Sequence, residues 1–499
     1  MPESMFRQAH GAFVAGQALG RSVMHGRALQ NEGDAATAPR PLRICFVSSQ
    51  VYGLFRPSSG LPIGGAEVQI ASLAKELAHH PKCEVVILTG DGARTDRERE
   101  GDIAIVLSPL YAVSPAYLES SGAAPSAADD LPIGWGSIKE KGHRYVGQCP
   151  GWLAFVIRSV VRGGYTCKRW LLSIPALHWF AGKIREGQRT LQWLWLFRSI
   201  RADVYVTRCA SAQVGYMQTV CSLLRRPFVY MVAHEMDVSG EYVRANPSAG
   251  RLFERGLRRA DAIVCQHGGQ ADLVRTRYAR DAYVVRSVCP SPIRSSAVES
   301  KKTILWIART DSWKQPELFL DLVARLPTES FVMVAPPSQI EPDILRRIKD
   351  RVKLLANLRF LERVPFEATA TLFEEAKVFV NTSKWEGFPN TFLQAAACGT
   401  PIVSWSVNPD GVLDRHQFGL CANGDTARFE QLVRLLCADD ALRTVLGEQG
   451  RRYVREHHDP AVVAGQFAEM CRVLSRGHEA GDGQVCRPVH GDRRSIMAP

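Results

Sequence analysis

The chain contains no run of about 18 apolar residues, the least that a membrane-crossing helix needs. It also lacks a Gly-x-Gly-x-x-Gly loop and a Gly-x-x-x-x-Gly-Lys-Ser/Thr loop. The first absence argues against a helical membrane span, and the second weakens dinucleotide and P-loop readings. No Asp-x-Asp pair is present, so a divalent clamp on a nucleotide has no obvious ligands. The thirteen cysteines stand singly between Cys45 and Cys486, without a Cys-x-x-Cys pair or a Cys/His cluster at metal spacing. Disulfide scaffolds and zinc sites are therefore poorly supported, and reduced thiols in a cytosol are expected. The segment HEMDV (234–238) lacks the second histidine of a zinc-protease helix.

What is present suits two domains plus extras, since 499 residues exceed one core. Hydrophobic residues at 46% and charged residues at 22% are ordinary for a globular chain. The net charge of +12 is not, and it favours an anionic partner: nucleic acid, a phospholipid surface or a phosphorylated substrate. Residues 1–40 carry no apolar core of signal-peptide type and read as a disordered extension, and 476–499 read as a disordered tail.

From Arg43 onward the pattern is strand, loop, helix, strand. RICFVSS (43–49), EVVILTG (84–90), IAIVLS (103–108), VYVTR (204–208), FVYMVAH (228–234), AIVCQ (262–266) and YVVRS (283–287) are short apolar runs of the kind buried in parallel sheets. The pattern restarts after the proline-rich VCPSPIRSS (288–296), with TILWIAR (303–309), FVMVAP (331–336), LRFLERV (358–364), VFVNTS (378–383) and PIVSW (401–405). Two α/β, doubly wound, Rossmann-like domains facing a cleft are expected, over 41–290 and 291–475. The interval 426–475 reads as two or three helices, the last able to cross back onto the first domain.

Two stretches at carboxyl ends of strands carry the chemistry. In EGFPNTFLQAAACGTPIVS (386–404), Asn390 is read as the N-cap of a short helix from Thr391 to Cys398, with Gly399 just past its end. That helix would aim free amides at an anion, beside the hydroxyl-accepting Glu386 and the carboxamide of Gln394. An acid and an anion site side by side suggest a sugar on a phosphate; a solvated Glu386 and a merely polar Gln394 are the plain alternative. In ARTDSWKQPELF (308–319), Arg309 and Lys314 could neutralise a diphosphate without metal, or form a solvated basic loop. In the first domain, Gly64 and Gly65 precede a helix, and His234 ends a strand, where a structural cap is the alternative to a catalytic role.

Together EGFPNTFLQAAACGTPIVS, IARTDSWKQ and IGGAE resemble glycosyltransferase family 4, retaining enzymes of GT-B fold that use nucleotide-diphosphate sugars. The resemblance runs from about Arg43 to Ser475. It implies that Arg309 and Lys314 grip the donor diphosphate and that Glu386 touches the donor sugar. It further implies that amides from Phe388 through Pro389 and Asn390 to Thr391 line the sugar-phosphate. Gln394 stands where the family has a second Glu on the ribose; it keeps an acceptor but no charge. His234 would sit beside the reacting carbon, and Gly64 and Gly65 near the leaving phosphate and the acceptor. Neither a cofactor nor a metal is implied.

About a hundred residues separate the third and fourth of these strands, an insertion spanning 109–200. Within 151–200 lie Trp152, Trp170, Trp179, Trp193 and Trp195, with eight Arg or Lys against one acid, Glu186. Such a composition fits helices on an anionic membrane surface, bases of single-stranded nucleic acid, or helices packed on the domain with basic rims. The lipid reading is preferred, and no nucleic acid partner is expected. The sequence thus points to a cytoplasmic glycosyltransferase, peripheral on the inner face of the plasma membrane. It would act on a saccharide or lipid-linked acceptor in envelope polysaccharide or glycolipid assembly. A degenerate subunit serving as scaffold, a sugar-nucleotide epimerase and a phosphorylase are the rivals.

Overall fold

The computed structural model describes residues 40–59, 63–90, 95–108, 190–293, 301–338 and 341–479. Every apolar run named above forms a strand. The first sheet holds β1 (Leu42–Val47), β2 (Cys83–Thr89), β3 (Asp96–Glu100), β4 (Ile103–Leu107), β5 (Val204–Arg208), β6 (Phe228–Met231), β7 (Ala262–Cys265) and β8 (Tyr283–Val284). Their order is β3-β4-β2-β1-β5-β6-β7-β8. The second holds β9 (Thr303–Ile307), β10 (Ser330–Val334), β11 (Leu358–Leu361), β12 (Ala376–Asn381), β13 (Ile402–Ser404) and β14 (Gly419–Cys421), in the order β11-β10-β9-β12-β13-β14. All pairings are parallel except β3 with β4. The strand order reverses between β1 and β5 and again between β9 and β12, and crevices at such points receive ligands.

Two strands carry no apolar run. β14 is only GLC, and β3 is DRERE, an antiparallel edge strand. Charge on β3 is used: Glu98 accepts from the Tyr52 hydroxyl at 3.0 Å and pairs with Arg56 at 3.2 Å. A charged edge also discourages pairing with another chain.

Alternation along each strand builds a core on both faces of each sheet. Ile44 and Phe46 of β1 face the helix Gly65–Ala78, while Cys45 packs with Phe197, Phe228 and Phe253 on the other side. In the second domain Leu305 and Phe379 underlie the helix Asn390–Ala397, and Ile304 and Trp306 meet Phe319 and Phe429. No disulfide joins the described cysteines.

Three helices close the described chain: Thr426–Ala438, Asp440–His457 and Pro460–Glu479. The last runs four residues past the expected end and does cross back: Val463, Phe467, Ala468, Cys471 and Leu474 enter the first domain's core. The ring of Phe467 stacks on Phe46 at 5.9 Å. The chain therefore passes between domains twice, and the passages are tied together. His458 Nδ1–H donates to the Ser287 carbonyl at 2.7 Å, and the Cys289 amide donates to the His458 carbonyl at 3.2 Å.

Of the insertion, 109–189 lie outside the described residues, with Trp152, Trp170 and Trp179 among them. Residues 190–200 form a helix packed on the first sheet. Trp193 belongs to the core, edge-on to Phe197 at 5.4 Å, whereas Trp195 is 71% exposed. The two described tryptophans thus divide between core and surface.

Phe467 is fully buried across the returning helix. Phe467→Ala should cost about 3–5 kcal/mol, the usual range for emptying such a site. The urea midpoint of the first domain reads it; a loss below about 1 kcal/mol would show that the helix is not integral to that core.

Candidate active site

Beyond β9 the chain turns through a 3-10 segment, Ser312–Lys314, before the helix Pro316–Arg325. Arg309 Nη2 lies 3.1 Å from Asp311 Oδ2, and Asp311 is 1% exposed. The Ser338 hydroxyl donates to the other Asp311 oxygen at 2.5 Å. A buried acid thus orients the Arg309 guanidinium. Lys314 is fixed through its backbone: the Thr382 hydroxyl donates to its carbonyl at 2.5 Å and itself accepts from Trp306 Nε1 at 2.8 Å.

The loop after β12 brings Glu386 onto Lys314. Lys314 Nζ donates to Glu386 Oε1, as does the Ser383 hydroxyl at 2.8 Å, which leaves Oε2 for a ligand. Burial alone would raise the Glu386 carboxyl; the Lys314 ammonium and the two hydrogen bonds outweigh it and hold the group below its ordinary value. Gly387 has no room for a side chain, because a Cβ would stand 2.4 Å from Gln266 Oε1 and 2.5 Å from the Ala233 carbonyl.

Several expectations for this loop need correction. The N-cap of the helix is Pro389, and Asn390 is its first residue, with no capping side chain. Asn390 instead reaches the first domain: its Nδ2 donates to the Gly65 carbonyl at 2.8 Å, and its Oδ1 accepts from Gln69 Nε2 at 2.9 Å. The Phe388 amide is taken by Gln266 Oε1 at 3.2 Å, its ring is in the core, and Pro389 has no N–H. Of the four amides expected to meet a phosphate, those of Asn390 and Thr391 remain, as first-turn donors without intrahelical acceptors. Gln394 is buried and donates to Thr369 Oγ1 at 3.1 Å, keeping only its carbonyl oxygen for a ribose.

The facing wall comes from the first domain. Gly64 is the N-cap of Gly65–Ala78, and a Cβ on Gly65 would lie 3.2 Å from Asn390 Nδ2. His234 caps the helix Glu235–Ser239, its Nδ1 accepting from the Met236 amide at 3.2 Å. The proton is thereby assigned to Nε2, which is buried and makes no well-formed hydrogen bond, with the Trp385 backbone as its nearest acceptor. Burial pushes the imidazole below 6.5 despite Glu386, whose charge pulls the other way. The structural cap, which the sequence offered as the alternative, is therefore formed.

Asp410 makes an interdomain contact that the sequence did not suggest. From the second domain it accepts from the amides of Gly268 at 2.7 Å and Gly269 at 2.8 Å, at the start of the helix Gly268–Tyr278, and from His267 Nδ1 at 3.2 Å. The acid fills a helix N-terminus of the opposite domain. The only hint lay in HGG (267–269) after a strand. Among the described residues no group of three or more His, Cys, Asp or Glu could hold a metal ion.

Comparisons bear on both halves. Residues 301–439 match the family described as Glycosyl transferases group 1. The D-inositol 3-phosphate glycosyltransferases of Mycobacterium bovis and Mycobacterium tuberculosis are 28% identical over 156 residues, 30% of this chain and 32% of theirs. The match therefore spans about a third of those relatives. Sucrose-phosphate synthase from Thermosynechococcus elongatus superposes at a TM-score of 0.58 with 15% identity, over 87% of this chain and 100% of that one. A trehalose-phosphate synthase from Burkholderia xenovorans, in complex with glucose-6-phosphate, gives 0.57 and 16%, over 86% and 100%. The fold is GT-B, as the sequence resemblance implied.

Asp410→Ala removes a charged acceptor from three donors, worth about 1.5–3 kcal/mol of closure. The urea midpoint should fall accordingly; an unchanged midpoint would mean that the contact does not tie the two domains. A second expectation concerns acid. His234, His267 and His458 all have lowered values, His458 to about 3, with burial as the leading cause. Unfolded imidazoles take protons near 6.5 and these do not, so stability should fall as pH drops from 7 to 5. His458→Gln should lessen that slope in a melting-temperature series, and an identical slope would remove His458 from the account.

Proposed function

We propose that the protein is a retaining glycosyltransferase of family 4, moving a sugar from a nucleotide-diphosphate donor to a saccharide or lipid-linked acceptor. The observation that carries this reading is the Lys314–Glu386 pair set beside Arg309 and the free amides of Asn390 and Thr391. Cations and helix amides would receive the diphosphate, and Glu386 Oε2 would accept from a sugar hydroxyl. Gln394 would reach the ribose through its remaining oxygen. His234 Nε2–H, which makes no well-formed hydrogen bond within the protein, would donate to the sugar beside the reacting carbon.

In the reaction the bond from the anomeric carbon to the diphosphate oxygen breaks, and a bond to the acceptor oxygen forms on the same face. The acceptor proton passes to the departing phosphate oxygen. Arg309, Lys314 and the two amides stabilise charge growing on that oxygen, the role of preorganised donors in group transfer. No step asks for a metal or a cofactor.

The acceptor belongs, on this reading, to envelope polysaccharide or glycolipid assembly at the inner face of the plasma membrane. Support comes from the outer side of the first domain, where Trp195 and Leu191 are exposed. They adjoin an open groove of about 520 Å³ lined by Arg43, Arg97, Arg198 and Arg201 as well as Trp195. Aromatic and basic side chains together favour an anionic lipid surface. No described helix is long and apolar enough to cross a membrane.

A melting panel of UDP, GDP, ADP and their sugar conjugates, without added metal, tests the donor site. A ligand at a hundred times its Kd adds about 2.7 kcal/mol, enough for a shift of a few degrees. One nucleotide should stabilise the wild type and lose that effect in Arg309→Ala. No shift from any of them would leave a scaffold subunit as the better reading.

A further inference from the structure

Arg208 ends β5, beside the point where the first sheet reverses its strand order, and is 7% exposed. Enclosed guanidiniums ordinarily pair with a carboxylate or spend their five donors on carbonyls. Arg443, equally buried at 7%, does both: it donates to the Leu436 and Cys437 carbonyls and pairs with Asp440. Arg208 does neither. Its Nε is buried without a partner, and no hydrogen bond or ion pair joins its terminal nitrogens to a described residue.

Two acids, Glu67 and Asp237, lie near Arg208 and act on it electrostatically without pairing with it. Asp237 Oδ2 is committed to the Tyr230 hydroxyl at 2.9 Å and to the Ala233 and His234 amides at 2.9 and 3.3 Å. The next residue, Cys209, holds a left-handed φ of 74°, a conformation costly without glycine and frequent at functional sites. Arg309, on the other domain, is close enough to act electrostatically on Cys209.

We infer that Arg208 is an acceptor-side receptor for an oxyanion, so that the sugar acceptor carries a phosphate or a carboxylate. The inference rests on the transferase reading and adds the acceptor's charge to it. The diphosphate would have its cations, Arg309 and Lys314, on the second domain, whereas Arg208 belongs to the first, where it lines a small enclosed cavity with Gln69, Gln266 and Arg286. Its planar fork matches either oxyanion in a bidentate pair, which a lysine would replace only in part.

The test uses the full chain saturated with the nucleoside diphosphate that binds it, so that the donor phosphates are occupied. Inorganic phosphate, a hexose 6-phosphate, a hexuronate and the neutral hexose are added in turn and melting is recorded. An anionic probe should raise the wild-type Tm by a few degrees and the neutral hexose should not. Which anion acts separates phosphate from carboxylate. Arg208→Met should abolish the rise and Arg208→Lys keep part of it, with nucleotide affinity changed less than about twofold, a small step on the binding scale. The ligand-free Arg208→Met protein should melt no lower than the wild type, because an uncompensated buried charge has been removed.

Three results would overturn the inference. A tenfold loss of nucleotide affinity in Arg208→Met would assign the guanidinium to the donor. A Tm several degrees lower in that variant would make it structural. A wild type that binds nucleotide yet treats charged and neutral probes alike would deny an anionic acceptor while leaving the transferase reading intact. If no nucleotide binds the wild type, that reading falls and the inference falls with it.

Discussion

One carboxamide holds the cleft in register. Gln69 is 3% exposed, and its two ends form a closed pair with the backbone of Val288, donating at 2.8 Å and accepting at 2.9 Å. The same Nε2 reaches Asn390. A first-domain helix, the interdomain passage and the donor-side helix thus meet at one side chain. A buried amide left unpaired costs about 1–3 kcal/mol, so the three elements are selected together. Once Gln69 sets the separation, Gly65 can approach Asn390 and Gly387 can press against Ala233 and Gln266.

Within that frame the charges are arranged so that few are wasted. Lys314 helps to hold the Glu386 carboxyl below its ordinary value, and both remain accessible to about one part in seven, 14% and 15%. The pair is dry enough for its field to matter and open enough to exchange partners with a ligand. The histidines around the cleft take the opposite course and stay neutral, offering hydrogen bonds of fixed direction. Arg208 departs from both patterns, since it keeps its charge and has no protein partner.

Much of this was legible in the sequence, for identifiable reasons. Parallel strands buried on both faces must be apolar throughout, so the long ones announced themselves, and the strand-loop-helix unit around Glu386 followed from turn and helix signals. β3 was hidden because an edge strand need not be apolar, and β14 because three residues are too few to show a pattern. Local rules failed where a distant partner took over. Asn390 looks like a helix cap, but its best partner lies 321 residues earlier in the chain. The Phe388 amide is likewise claimed by Gln266, 122 positions away, and Asp410 meets Gly268 across 142. No spacing rule reaches so far, and Gln69, Gln266 and Asp410 were missed for that reason.

The knot at His458 bears on how the two halves move. Two separate linkers would let one domain swing, twist and slide against the other. Here the two passages are joined where His458 bridges to Ser287 and Cys289, and Tyr453 braces the ring by donating to its Nε2 at 3.1 Å. Joined in this way, the two passages restrain twist and slide between the halves more than two separate linkers would.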